Sequence, residues 1–483
     1  MAGVVALAGC GGSGNKSAST TAATTTSASS KPAPAPVPRP KPHPALRQFH
    51  VTVVDGDTGA PVKGAHVSAP GAKNRGLVLL ARPNVRALLV TARAPLYTSR
   101  TLQLKASDGH AVVSLYRPDG QWLMYGAGPT RTQFQPSIQL RPPFRIVWGR
   151  NLHGLIEFPA VVAEGTAYVS NAHGRLFALS MRNGSTIWQL DMNTHDEASS
   201  PAVVGGNLVV HSKAGRVLLV NRATGHVHWG YSISGEIESS PVVAAGVDYL
   251  GDWAGDVYAL DLHTRKPRWV YHDGCKITAS AAVSGGTVYL GDYCGRLLAL
   301  SRSSGHLLWS ASAGSPIYGT AAVANGRVFA PSRDMGALYA FTTSGHYLWH
   351  VSTGGLVYTA PAVWGGRVYF GSYTGYLYCV QAATGRVLWT LNAGGRISGS
   401  PTVVAGIVYA GTFAHRIVGA DARTGRQLFS FPHGEYVPVS GNRGRLLLYG
   451  WSNLWAVTEK AQPRTTAKPS SRTTRSSHAA SKP

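Results

Sequence analysis

Seven tryptophans, Trp148, Trp188, Trp229, Trp269, Trp309, Trp349 and Trp389, stand 40, 41, 40, 40, 40 and 40 residues apart, and Phe429 extends the series by 40 more. A period of that length, held over eight units, demands an architecture of stacked repeats. Four residues before the aromatic, most units carry a glycine: Gly184, Gly225, Gly305, Gly345, Gly385 and Gly425, with Arg265 the exception. Each unit opens with a Ser-Pro-Ala-Val-Val-like run, continues as Gly-Gly-x-Val-Tyr, and then reads Gly-x-Leu-x-Ala-Leu. These are four short apolar alternations separated by glycine turns, which predicts one four-stranded antiparallel sheet per unit. Such a sheet has two apolar faces and is stable only against neighbours. Closing the row into a ring removes its unpaired ends.

First strands fall at Pro159, Pro201, Pro241, Ala281, Ala321, Pro361, Pro401 and Pro438, which makes eight units. After Phe429 only three strands remain, around Val437, from Arg445 to Tyr449 and from Leu454 to Thr458. The missing fourth lies at the other end, where residues 144–152 carry Trp148 in the outer-strand position. The expected fold is all-β: an eight-bladed β-propeller over residues 143–459, monomeric and closed by its N-terminal strand. The composition agrees, with 57 Gly, 29 Pro and only 14% charged residues beside 44% apolar ones.

The motif A-x-x-G-x-x-x-W after Tyr-Ala-Leu-Asp-type strands resembles the PQQ-type repeat family. The leader Gln121-Trp122-Leu123-Met124-Tyr125-Gly126 with Arg131-Thr132 resembles the segment that introduces such propellers. The family holds quinoprotein dehydrogenases and also non-enzymatic, BamB-like lipoproteins. The resemblance implies that each blade tryptophan docks on the neighbouring blade. A quinone dehydrogenase of this kind needs a calcium site, a catalytic Asp and an adjacent Cys-Cys pair, and it carries long insertions between blades. The sequence has no adjacent Cys pair, its intervals admit no such insertion, and no loop collects the six to eight oxygens calcium requires. Motifs for zinc proteases, serine hydrolases and phosphate-binding loops are absent as well. The expectation is therefore no catalytic residue, no metal, no bound quinone and no enzymatic activity, with a quinone-dependent oxidoreductase or other funnel-site enzyme as the alternative.

Before the propeller, the run from Val51 to Val67 reads strand, Asp-Gly-Asp-Thr-Gly turn, strand. Its pattern V-x-V-x-D-x-x-T-G-x-P-V-x-G-A-x-V resembles the carboxypeptidase regulatory-like (transthyretin-like) sandwich, expected over residues 48–120 with a connecting segment at 121–142. Asp55 and Asp57 are expected to fasten the turn by side-chain hydrogen bonds rather than to hold calcium. The N-terminal Leu7-Ala8-Gly9-Cys10 resembles a bacterial lipobox, which implies a signal remnant over residues 1–10, lipidation at Cys10 and anchoring outside the cytoplasm. If the lipobox is unused, the protein is secreted. Residues 11–47, rich in Ser, Thr and Pro, read as a disordered tether, and 460–483 as a disordered basic tail.

The net charge of +24 nominates nucleic acid at first sight. Eleven of those charges, however, sit in the two acid-free tails, from Lys16, Lys31, Arg39, Lys41 and Arg47 to Lys460, Arg464, Lys468, Arg472, Arg475 and Lys482. The excess over the folded part is mild and argues against a nucleic-acid groove. The tails point to anionic lipid or cell-wall polymer. Cys275 and Cys294 flank strands of blade four on one face, and a disulfide between them is expected. Cys379 is expected to be a buried free thiol, and His226 and His228 to be solvated on an outer strand.

Loops entering the first strands line the funnel mouth, where binding residues concentrate on a rigid scaffold. Five residues before the first-strand Pro or Ala stand Asp196, Glu236, Lys276 and Arg396; three before stand Glu238, Thr278, Tyr318, Tyr358 and Ser398. Between them lie Leu155, Ile237, Ile277, Ile317, Val357 and Ile397, expected to be buried, with the flanking residues near the axis. The functional expectation is a cell-envelope scaffold whose propeller loops bind protein or glycan.

Overall fold

The computed structural model describes residues 45–195 and 197–460. Cys10, most of the tether, Asp196 and all but the first residue of the basic tail lie outside the described residues. No helix among those described is long and apolar enough to cross a membrane.

Two small sheets come first. One has four strands in the order Ala72–Arg75, Val78–Ala81, Arg47–Asp55, His110–Leu115; the other has His66–Ser68, Ala87–Arg93 and Arg100–Lys105. Arg47–Asp55 alternates exposed and buried residues, so Phe49, Val51 and Val53 enter one core with Leu79, Leu88, Val90 and Leu115 from both sheets. The hairpin Ala72–Arg75/Val78–Ala81 went unread in the sequence, because Lys73, Asn74 and Arg75 give its first strand no apolar alternation. Asp55 Oδ1 accepts from the backbone N–H of Asp57 and Thr58, each at 3.0 Å, and so fastens the turn. Its Oδ2 accepts from Tyr97 Oη at 2.7 Å and from Arg443 of the propeller at 2.6 Å. Asp57 is buried against Gln121 and Asn442, both 3.0 Å away, and burial raises its pKa to about 7.

Among the described residues eight sheets of the repeat follow in chain order, antiparallel throughout except that Phe134–Gln135 adds to the seventh as a fifth, parallel strand. Within each, the inner strands are buried on both sides, as in Thr166–Asn171, whereas the outer strands alternate, as in Thr186–Asp191. Every outer pair carries a register shift beside the repeat aromatic, for example between Ala299 and Leu300 opposite Trp309. The indole N–H then reaches the next blade: Trp148 donates to Met181 O at 3.0 Å, Trp269 to Arg302 O at 3.1 Å and Trp309 to Thr343 O at 3.0 Å. The periodic glycine is required at that contact. Gly345 has φ +91°, and a Cβ there would meet the Trp309 ring at 2.7 Å. At the ring junction Asn453–Glu459 pairs with Phe144–Asn151, so the eighth sheet combines three C-terminal strands with the N-terminal one.

The segment after the two small sheets winds round the axis. Trp122 pairs with Val162 of blade one, and Leu123 O accepts from Val203 N of blade two at 2.7 Å. Pro129, Thr130, Thr132 and Gln133 offer carbonyls to Val283, Val323, Val363 and Val403, one valine in each of blades four to seven, at 2.7–2.9 Å. An innermost strand would otherwise present unpaired N–H groups to the channel, and the winding segment satisfies them. Arg131 anchors it. The side chain is wholly buried and donates to the carbonyls of Tyr125, Ser240, Pro241 and Ala281 at 2.5–3.0 Å. Burial lowers its pKa to about 10, so it remains charged at neutral pH.

Candidate binding cavity on the propeller axis

The loops entering the blades are held by a periodic fit. A Cβ on Gly251, Gly291 or Gly371 would collide with Ile277, Ile317 or Ile397 of the following blade, so the glycine in one blade's second strand makes the socket for the next blade's loop. Ile237, Ile277, Ile317, Val357 and Ile397 are all fully buried. In blade one the buried residue is Ile156, not Leu155, which is half-buried; the register there is one residue later than expected. That shift brings Glu157 into line with Glu238.

In blades two to five and in blade seven, a hydroxyl just before the first strand binds its neighbours round the axis, whereas Phe158, Ala360 and Val437 stand there in blades one, six and eight. Ser240 Oγ accepts from Ser200 N at 2.9 Å, Ser280 Oγ from Ser240 N at 2.8 Å, Thr320 Oγ1 from Ser280 N at 3.2 Å and Ser400 Oγ from Ala360 N at 2.9 Å. The forty-residue recurrence of Ser or Thr before the first-strand Pro or Ala is the sequence signal for this ring, and its role was missed.

Within the ring lies a cavity of about 60 Å³. Its floor is Tyr125 and Gln133 of the winding segment; its wall is Glu157, Phe158, Glu238, Tyr318, Tyr358 and Tyr436 together with the hydroxyls. Of the expected binding residues, Glu238, Tyr318 and Tyr358 line it. Glu236, Lys276 and Arg396 do not, because the buried isoleucine between the two positions turns the earlier residue outward. Tyr318 Oη donates to Glu238 Oε1 at 2.5 Å, and Trp253 Nε1 donates to Oε2 at 3.2 Å. Burial, with the Glu238 and Glu157 carboxylates beside it, pushes the Tyr318 hydroxyl far above its usual range. Burial and Glu157 raise Tyr436 to about 12.

Through Tyr318, Tyr358 and Tyr436 of the cavity wall runs an unbroken chain of rings that crosses blades four to eight. The steps are Tyr293 to Tyr318 (6.5 Å), to Tyr358 (5.3 Å), to Tyr373 (4.8 Å), to Phe413 (5.9 Å), to Tyr436 (4.8 Å) and to Trp451 (6.0 Å). Lys276 closes its blade-three end, its ammonium 3.1 Å from the centre of the Trp253 ring and 4.9 Å from that of Tyr293.

Cys275 and Cys294 form a disulfide with Cα atoms 5.9 Å apart, and Cys379 is a buried free thiol whose pKa burial raises to about 12. Asp273, Cys275 and Asp292 bring three ligand-type side chains together. The Cys275 sulfur is committed to the disulfide, and Arg296 bridges both carboxylates at 2.8 and 2.7 Å, which makes the group a salt-bridge cluster. His226 and His228 are exposed, their rings 5.7 Å apart.

The fold and its axial site define a β-propeller of the PQQ-like repeat class. The chain belongs to the family described as outer membrane protein assembly factor BamB, whose model matches residues 172–278, 253–359 and 334–473, together more than half of the chain. The structure of BamB from Moraxella catarrhalis superposes with a TM-score of 0.56 at 16% identity, covering 67% of this chain and 99% of that one. The quinohemoprotein alcohol dehydrogenase of Comamonas testosteroni gives 0.61 at 15% identity, covering 72% and 82%. Among curated proteins, 1-butanol dehydrogenase (cytochrome c) of Thauera butanivorans is 26% identical over 126 residues, which span 23% of this chain and only 18% of that protein. These dehydrogenases overturn the expectation that the chain is not an enzyme, since catalysts stand among the proteins it resembles. At such identities the structural likenesses establish the fold.

Proposed function

We propose that the protein is an extracytoplasmic binding protein of the cell envelope, held to the membrane by a lipid on Cys10, whose propeller mouth recognises a protein partner. The observation that carries this reading is the chain of rings from Tyr293 to Trp451. Six of the seven are half-buried and Trp451 is 51% exposed, on loops fixed by the socket and disulfide contacts beneath them. Exposed aromatics on a rigid scaffold are the usual anchors of a protein interface. The BamB family supports a protein partner over a glycan; the basic tails supply a second, electrostatic contact with anionic envelope polymer.

Quinone-dependent oxidation is the second reading, favoured by the dehydrogenase likenesses. The residues present do not fit that cofactor. The axial cavity of about 60 Å³ is far below the several hundred a drug-sized ligand needs, and its floor is closed by Tyr125 and Gln133. Affinity purification of the anchored protein from its own envelope, beside a Tyr373→Ala/Trp451→Ala variant, tests the first reading. A partner retained by the native protein and at least tenfold depleted on the variant is expected. Equal recovery on both, or stoichiometric uptake of pyrroloquinoline quinone with dye-linked alcohol oxidation, overturns it.

A further inference from the structure

The axial cavity combines features that the mouth as a whole does not share. Five of its walls are aromatic rings: Tyr125 and Phe158 meet edge to face at 5.4 Å, Tyr318 and Tyr358 at 5.3 Å, and Tyr436 completes the enclosure. Two carboxylates, Glu157 and Glu238, line it, and no lysine or arginine does, in a chain with 45 of them. Three cations stand near it: Lys276 lies over Trp253 within the field of Glu238, Arg333 lies over Tyr293, and Arg131 donates to backbone carbonyls.

Two lining side chains are, moreover, incomplete. Thr278 is 5% exposed and its Oγ1 meets only the Tyr293 hydroxyl, short of ordinary hydrogen-bond geometry; Gln133 is 2% exposed and its amide meets only the Tyr125 hydroxyl in the same way. A buried polar atom without a partner is costly, and such atoms are rare in folded proteins unless a ligand or water meets them. A hydroxyl can accept from an N–H donor, and the Gln133 amide can present either its oxygen or its nitrogen. The cavity has room for about four water-sized spheres, which is the scale of a small organic head group.

We propose that this cavity is a cage for an organic ammonium group, which would lie against the ring faces of Tyr318, Tyr358 and Tyr436, face the Glu157 and Glu238 carboxylates and donate, where it has N–H, to Thr278. Ring faces and carboxylates attract a cation from different directions, and the desolvated site strengthens both attractions. The proposal rests on the reading of the mouth as a binding face. The ammonium has two possible sources, the lysine side chain of a polypeptide partner or a free small amine.

Titration calorimetry on the full-length protein tests it with tetramethylammonium, Nα-acetyl-lysine amide and, as a neutral probe of similar size, tert-butanol. Saturable one-to-one binding of an ammonium probe is expected, with none for tert-butanol. Glu157→Gln and Glu238→Gln should each weaken it at least tenfold, with melting temperatures checked so that a folding defect is recognised. Tighter binding of the lysine amide assigns the group to a polypeptide, and tighter binding of tetramethylammonium to a small amine. No binding by either ammonium, equal binding of tert-butanol, or unchanged affinity in both folded variants overturns the cage. Envelope capture measured in parallel separates the two readings: partner retained while ammonium binding is absent sinks the cage and leaves the binding face standing.

Discussion

Blades four to seven and blades two and three are built from the same forty-residue unit, but they solve the junction between neighbours differently. From blade three to four, four to five and six to seven the junction is a glycine socket filled by an isoleucine, as at Gly291 and Ile317, and Pro331 and Val357 take those places between blades five and six. Around blades two and three polar residues take the same places. Glu197 stands where Ile237 and Ile277 stand, His211 where Gly251 and Gly291 stand, and Asp248 where Val288 and Val328 stand. All three are buried, His211 and Asp248 completely. His211 Nδ1 donates to Ser239 O at 2.6 Å, and Nε2 is hydrogen-bonded to Asp248 Oδ2 at 2.7 Å. Glu197 accepts from Ser199 Oγ at 2.9 Å and from Lys213 N at 3.1 Å. Arg131, the buried charge of the winding segment, bonds to Ser240 and Pro241 in this same sector. The repeat tolerates a polar junction whose new groups bring partners of their own, although Asp248 Oδ1 is left without one, and the polar sector lies where Arg131 is anchored.

The comparison breaks most visibly at the His211–Asp248 pair. Asp248→Val alone should cost about 3–5 kcal/mol, because it strands a buried imidazole. Adding His211→Gly, which restores the pattern of the other blades, should recover most of the loss. Urea unfolding of the two single variants and the double variant reads this, and a double variant as unstable as the singles shows that the pair is required in its own right.

Glu197 gives the next effect. Burial raises its pKa from 4.5 to about 7 in the folded protein. The native state therefore binds the proton more tightly than the unfolded chain. The stability from this group is full below pH 4.5 and is lost as pH rises through 7. Relative to Glu197→Gln, the native protein should lose about 3 kcal/mol across that window, measured as the difference between two stability–pH curves. Parallel curves would mean that the carboxyl titrates normally.

In the regular sector the expected effect is smaller. Gly291→Ala forces a methyl against Ile317 and should cost about 1–3 kcal/mol, with Ile317→Ala compensating in part. Melting temperatures of the two single variants and the double variant check it; additive losses would show that the socket and its plug are independent.

The propeller was largely legible because its signals are local and repeated. Tryptophans, turn glycines and the three strands left after Phe429 predict the blades and the strand that completes the last one, and the structure places Phe144–Asn151 there. Glu238, Tyr318 and Tyr358 could be picked out by their place in the repeat. Glu157 was missed because blade one is offset by one residue, which no spacing rule reveals. The polar sector was missed too, since Glu197, His211 and Asp248 make sense only as a set.

By itself the sequence determined the unit, the order of strands and the residues that face a neighbour, because hydrophobic alternation and glycine turns act within a few residues of one another. Only the tertiary structure decided what stands at the centre. Residues as far apart as Tyr125, Glu157, Glu238, Tyr318 and Tyr436 meet there because the ring closes and the winding segment seals its floor. A contact made by closure carries no periodic signature in the chain, so its chemistry emerges only once the blades are in place.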